Sequence, residues 1–437
     1  METYNVILHK GVDYQSFWDD MELSDDGGTL HIPNRRVDSP NLRPNSPRQA
    51  WYTLSAEEVT TLKNDNRVKG IEIPPEFRDD IVIEHRASRT GDFTKTTSDS
   101  GVFLNWGLIR HKSKTNNYGS SSTTSEDYTY TLDGTGVDVV IQDSGVEMLH
   151  PEFFGKISEA SAPRTQDVDW YSLSGVTGIQ NANHNRDLDG HGTHVAGIVA
   201  GNSYGLATGA RVYSVKVSGL EGSTDGSTGI PTTDCFDVIK GWHNDKKLTR
   251  PMRPTVVNMS WGYLTTYTDA SITAINYRGA SSTGTDINTT SKREDDFGLN
   301  YNLYSAGTYA ANLRILSIDT DVEEMIDAGI HVTIAAGNRG NKCDVPGGTD
   351  YNNYYTSNGT DQYYHRGSSP NADGAILVGN MDSSLNSATN ADGSNKDQKA
   401  TSSECGPAVD IYAAGTNIMS STSNTNKFSD SAYYADS

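Results

Sequence analysis

The sequence predicts an α/β protein: an open parallel sheet with helices on both faces, preceded by a small α+β domain. Three features carry that prediction. The apolar run Val137-Asp-Val-Val-Ile141 ends at Asp143-Ser-Gly and reads as a buried strand with an acid at its carboxyl end, where an open parallel sheet puts its chemistry. A run of small and apolar residues opens at His191-Gly-Thr-His-Val-Ala-Gly and continues through Ile198, Val199 and Ala200, as a helix packed close to a sheet does. Over residues 1–75, strand-like and helix-like patterns alternate.

Taken in order, Tyr4-Asn-Val-Ile-Leu-His9 alternates as a strand, and a helical stretch follows near Tyr14 to Leu23. Ala50-Trp-Tyr-Thr-Leu54 is a second strand. Ser55-Ala-Glu-Glu58 is a capping box that opens a helix with Val59 and Leu62 on its apolar face. Arg67 to Ile73 returns as a strand, and the whole suits a ferredoxin-like α+β sandwich. The charged, Pro-containing stretch 76–101 reads as a linker, and 102–437 as the large domain. Within the latter, 234–246 is helical, with Cys235, Phe236, Ile239 and Trp242 suited to a core, and Ile330 to Ala335 is a strand. The stretches 263–306 and 341–369 are rich in Ser, Thr, Asn, Gly and Tyr. They are expected to be long polar surface loops that face a substrate or partner or merely decorate the surface.

A net charge of −21 argues against nucleic acid as a partner, because phosphate recognition needs clustered Lys and Arg. No segment approaches the roughly 20 apolar residues of a membrane-spanning helix. Met1-Glu-Thr-Tyr enters the first strand without a leader of charged, apolar and small residues, so the expectation is either a start that has been trimmed or a location inside a cell or on a particle. Cys235, Cys343 and Cys405 lack metal spacing and allow at most one disulfide.

The chemistry rests on Asp143, His191 and Asn338. A histidine at the first turn of a helix can take a hydroxyl proton while a buried acid holds its tautomer and stabilises its charged form. The competing possibility, a zinc pair, normally needs His at i and i+4 with a third ligand beyond. His191 and His194 stand three apart and nothing suitable follows closely. Asn338, in Ala335-Ala-Gly-Asn338, lies just past a strand. Alone it reads as a turn residue.

In these segments, and in Val212-Tyr-Ser-Val-Lys-Val217, Val257-Asn-Met-Ser260-Trp-Gly262 and Val409-Asp-Ile-Tyr-Ala-Ala-Gly415, the chain resembles the subtilisin-like serine proteases, the peptidase S8 family. The resemblance implies that Asp143 orients, His191 is the general base and Asn338 donates to the oxyanion. It also implies that Ser260, Trp261 and Gly262 form one wall of the primary specificity pocket and Ala335, Ala336 and Gly337 the other. Leu54-Ser-Ala-Glu-Glu-Val-Thr-Thr-Leu-Lys resembles the family's inhibitor propeptide, which implies a partnership between this N-terminal domain and the cleft, with the tail from Pro74 to Asp99 laid through it. Trp106-Gly-Leu-Ile-Arg110 resembles the start of the mature domain. Asp410 falls where relatives hold a weak calcium, with carbonyls near Ala372 to Gly374. Gly201 to Ala207 resembles relatives that lack the tight calcium loop.

The family's nucleophile motif, Gly-Thr-Ser-Met-Ala, is not found in residues 1–437, and Phe428 to Ser437 corresponds to the surface stretch before it. The expectation is a serine endopeptidase acting on peptide or protein substrates, with this chain inactive alone. The alternative is a pseudoprotease that binds peptide or serves as a structural component, as in a phage virion.

Overall fold

The computed structural model describes the chain except residues 23–34, 36, 38, 40, 44, 86–105, 113–131, 156–162, 203, 223–227, 249–251, 301–302, 384–390, 392–395 and 424–437. The N-terminal unit runs β1 (Glu2–Leu8), α1 (Tyr14–Glu22), β2 (Asn41–Leu42), β3 (Gln49–Leu54), α2 (Ala56–Leu62) and β4 (Val68–Glu72). Its antiparallel sheet has the order β2-β3-β1-β4, the ferredoxin-like arrangement. Val6 and Leu8 of β1 and Ala50, Tyr52 and Leu54 of β3 share one face and bury against Phe17, Met21, Val59 and Leu62 of the two helices. The capping box forms: Glu58 N donates to Ser55 Oγ at 3.3 Å and Ser55 N to the Glu58 carboxylate at 2.7 Å. Asn5, Ile7 and Gln49 point to the opposite face, which is as fully buried, because it packs on the large domain.

β5 (Ile81–His85) follows the N-terminal unit, and the large domain then runs α3 (Trp106–Lys112), β6 (Asp138–Asp143), β7 (Thr165–Gln166), α4 (Trp170–Ser174), α5 (His191–Ala200), β8 (Arg211–Lys216) and α6 (Thr232–Lys246). It continues through β9 (Thr255–Met259), β10 (Trp261–Tyr267), β11 (Ile272–Tyr277), β12 (Ala280–Thr283), α7 (Thr290–Asp295), β13 (Leu303–Ser305), β14 (Thr308–Asn312) and α8 (Leu316–Asp327). The last strands are β15 (His331–Ala335), β16 (Tyr354–Ser357), β17 (Thr360–Tyr363), β18 (Ile376–Met381) and β19 (Ile411–Ala414). A seven-stranded, wholly parallel sheet has the order β19-β18-β15-β9-β6-β8-β7. Every residue of β6 is buried, as expected of a central strand covered on both sides. Val140, Val257, Val332 and Ile334 turn toward α6 and α8, whereas Val139, Ile141 and Val212 turn toward α5.

Three expectations are corrected here. The stretches 263–306 and 341–369 are not loops: they carry β11, β12, α7, β13, β16 and β17 together with parts of β10 and the approach to β14. They build two antiparallel sheets, β13-β14-β10-β5 and β12-β11-β16-β17, over a separate core of Tyr267, Ile275, Leu299, Tyr309, Tyr355 and Tyr364. Tyrosine supplies apolar area within a composition that otherwise reads as polar. The proposed linker 76–101 contains β5, whose β-branched Ile81-Val82-Ile83 favours an extended strand. The remainder of that stretch, from 86 on, and Phe428 to Ser437 lie outside the described residues. All three cysteines are free thiols. Among the described residues no helix is long and apolar enough to cross a membrane.

Candidate active site

Parallel register aligns the carboxyl ends of three central strands. Gln142 pairs with Met259, and Met259 with Ile334, so Asp143, Ser260 and Ala335 lie side by side one residue further along. Asp143 is fully buried, and its Oδ1 lies 2.7 Å from Nδ1 of His191, itself 4 % exposed. The same carboxylate oxygen accepts Ser144 N at 2.7 Å. Close approach of α5 to the strand end depends on Gly192: a Cβ there would lie 2.0 Å from Gly145 O. His194 turns away to the Ile418 carbonyl at 3.2 Å, and among the described residues no cluster of three His, Cys, Asp or Glu could hold a metal ion.

The start of α5 is held by residues that motif reading did not single out. Its N-cap, Gly190, has φ 92° and no side chain to cap with. Asp187 takes over that function: it accepts Gly190 N (2.8 Å) and Ser144 Oγ (2.9 Å) on one oxygen, and Thr193 N (2.8 Å) and Thr193 Oγ1 (2.7 Å) on the other. Burial pushes the Asp187 carboxyl up from its ordinary value, and these donors oppose the shift.

Asn338 is half-buried in the turn that follows β15. Glu404, fully buried, braces this turn: its Oε1 accepts Arg339 N at 3.0 Å and Asn312 Nδ2 at 2.9 Å, and its own N–H donates to Gly337 O at 3.2 Å. Of the wall residues, Ser260 and Ala335 are half-buried, while Gly262, Ala336 and Gly337 are buried. The Trp261 side chain belongs to the core, stacked near Phe236 and Tyr263, so only its backbone faces the strand edge. That edge is occupied. β5 pairs antiparallel with β10, His85 opposite Trp261 and Ile81 opposite Thr265. Ile81 and Ile83 pack on the large core, Ile83 over Gly219, where a Cβ would come within 2.8 Å of it.

The N-terminal unit is anchored by charge. Arg43 forms a bidentate pair with Asp321 of α8 at 3.0 and 2.9 Å and also donates to Thr233 O at 2.6 Å. Lys240 pairs with Glu324 at 2.7 Å and contacts Ser46 Oγ, which donates to Asp237 at 2.6 Å. Neither α6 nor α8 has a side-chain cap of its own. Glu76 accepts Thr233 N at 3.2 Å, and Glu72 accepts Leu316 N and Ser317 N at 3.1 and 2.8 Å. Asp410 is exposed, and one of its carboxyl oxygens accepts Leu377 N at 2.8 Å.

Fold and site together define a parallel-sheet α/β protein with an acid–imidazole pair at the carboxyl edge of the sheet. Residues 134–436 match the subtilase family of peptidases (S8), and the chain belongs to it. It is 25% identical over 366 residues to subtilisin-like protease 5 of Arthroderma otae, covering 83% of this chain and 60% of that protein. To the extracellular serine proteinase of Thermus sp. (strain Rt41A) it is 28% identical over 234 residues, covering 54% and 44%. The chain thus spans about half the length of these curated relatives. Among solved structures, fervidolysin from Fervidobacterium pennivorans, a keratinolytic enzyme related to subtilisin, aligns at TM-score 0.46 and 14% identity, over 100% of this chain and 49% of that one.

Proposed function

We propose that the chain forms the acid, base and oxyanion side of a serine endopeptidase. In this mechanism a substrate segment pairs with the β10 edge and a serine hydroxyl attacks the scissile carbonyl. His191 takes the hydroxyl proton through its Nε2. Asp143, on the other ring nitrogen, fixes the tautomer and stabilises the imidazolium. Asn338 donates to the developing oxyanion, an interaction worth about a hundred- to a thousandfold in rate. His191 then returns the proton to the leaving amine, and water repeats the sequence on the acyl-enzyme.

The observation that carries the proposal is the 2.7 Å contact between Asp143 and His191, both excluded from water at the carboxyl edge of the sheet. A structural scaffold has no chemical need to bury an acid against an imidazole at this edge. With β5 on the β10 edge, the N-terminal unit acts as the enzyme's own inhibitor, and removal of β5 opens the edge for an extended substrate. Calcium, if bound, would take the remaining oxygen of Asp410 and otherwise backbone carbonyls and water. One carboxylate makes a weak site, and no catalytic step runs through it.

The test is fluorophosphonate labelling and peptide hydrolysis by the full natural gene product, alongside its His191→Ala form. Labelling that His191→Ala reduces by four or more orders of magnitude (roughly) is expected. Peptide binding with no labelling of the intact product sinks the enzyme assignment and leaves the peptide-binding alternative.

A further inference from the structure

We propose that Asp187, acting through Ser144, is the positioning residue of the Asp143–His191 pair, fixing the imidazole against its acid by clamping the start of α5 to the end of β6. The role in catalysis rests on the peptidase assignment above, while the clamp itself is a matter of geometry.

The connections form a closed circuit. Ser144 follows Asp143 in the chain, and its N–H donates to Asp143 Oδ1, the oxygen that meets His191. Ser144 Oγ accepts Gly192 N at 2.9 Å and donates to Asp187 at 2.9 Å. Asp187 in turn holds Gly190 N and both the N–H and hydroxyl of Thr193. The residues on both sides of His191 are therefore fixed to the strand end that carries its acid. Thr193 Oγ1 also accepts Glu147 N at 3.0 Å, extending the clamp into the turn after Asp143.

A simple helix cap needs one acceptor oxygen at the surface. Here a fully buried carboxylate is used, four donors converge on it, and one of them, Ser144, directly follows β6. Burying that charge is costly unless its hydrogen bonds are satisfied, so the arrangement makes sense where precision of position matters. An imidazole moved by about 1 Å no longer hydrogen-bonds its acid.

The experiment reads His191 without turnover, so it separates this proposal from the peptidase assignment. The chain as it stands, labelled with ¹⁵N-histidine, is titrated by NMR alongside Ser144→Ala and Asp187→Asn. Asp143, Asp189, Glu147, Arg186 and Lys216 surround the helix start, and Ser144→Ala changes none of these charges. A looser clamp lowers the His191 midpoint by about one pH unit, because the stabilising acid is less well placed, and broadens the Nδ1–H resonance. Asp187→Asn adds loss of a nearby negative charge and shifts the midpoint further. If Asp187→Asn fails to fold, Ser144→Ala decides. A Ser144→Ala protein whose stability falls while His191 titrates as in the parent overturns the proposal and leaves Asp187 an ordinary cap. A midpoint shift without fluorophosphonate labelling of the natural product upholds the clamp and rejects the peptidase.

Discussion

Arg43→Met tests what holds the N-terminal unit in place. Arg43 and Asp321 are 1% and 0% exposed, and Arg43 makes two hydrogen bonds to Asp321, one to Thr233 O and one to Gln49 at 3.1 Å. Burial by itself would lower the Arg43 pKa, but Asp321, Asp237 and Glu324 together raise it above the ordinary guanidinium value. Without Arg43, Lys240 is the one cation among the described residues paired with those three carboxylates. Stranding a buried charge in this way costs about 3–5 kcal/mol, and the loss falls on docking because the two partners lie on different units. If proteolysis samples the opened state, thermolysin should cut the N-terminal unit roughly a hundred- to several thousandfold faster. Arg43→Met/Asp321→Leu, which removes both charges, should recover all but about 1 kcal/mol. Urea unfolding followed by tryptophan fluorescence gives the equilibrium counterpart. A rate change under about fivefold in Arg43→Met, or a double variant as labile as the single, would refute the reasoning.

Asp234, at the start of α6, has its carboxyl pushed up to about 6 from an ordinary 3.8, first by burial and then by Asp237, Glu76 and Asp321 against the opposing pull of Arg43. A raised carboxyl favours folding below pH 3.8, and that contribution is lost as pH rises through 6. Asp234→Asn should therefore match the parent near pH 4 and gain up to about 3 kcal/mol above pH 7 in urea titrations. A gain independent of pH contradicts the assignment. Ile83→Ala, which removes part of the apolar contact holding β5 over Gly219, should weaken that strand by about 1–2 kcal/mol and speed its cleavage roughly tenfold. Unchanged cleavage would mean that main-chain pairing alone retains β5. At about 10 mM calcium a site of Kd near 1 mM raises stability by about 1.4 kcal/mol. Asp410→Asn should abolish that increment in thermal unfolding, and an equal increment in both proteins removes Asp410 from consideration as a ligand.

The strand ending at Asp143 and the helix opening at His191 were legible because their determinants are local. An apolar run marks a buried strand, and a Gly beside the His marks a backbone approach that no Cβ tolerates. The ferredoxin-like unit was legible for the same reason, down to the Ser55–Glu58 capping box. The 263–306 and 341–369 stretches were not, since their core is built of tyrosines such as Tyr355 and Tyr364 set among Ser, Asn and Gly. Hydrogen-bond hubs were equally invisible. Asp187 and Glu404 have no periodicity, and their importance comes from donors distant in sequence: Ser144 for Asp187, Arg339 and Asn312 for Glu404.

The second face of the N-terminal sheet shows why alternation can mislead about exposure. Asn5 and Gln49 occupy the side that a polar-out rule assigns to water, yet both are 0% exposed, bonded to each other, with Gln49 donating to Ser317 O on α8. A polar residue opposite an apolar face signals only that its partner is polar, and here the partner is the uncapped start of a helix. Pro231 and Ile315 precede α6 and α8 where Ser, Thr, Asp or Asn would normally stand. Neither can accept a hydrogen bond through its side chain. The donors left over at both helix starts are met by Glu76 and Glu72, carboxylates that also complement the positive ends of the helix dipoles. A long helix without its own cap is therefore a sequence-level mark of a surface that expects an acidic partner. In this chain α6 and α8 each meet an acid at the end of the N-terminal unit or just beyond it, so docking completes these two helices beside the parallel sheet.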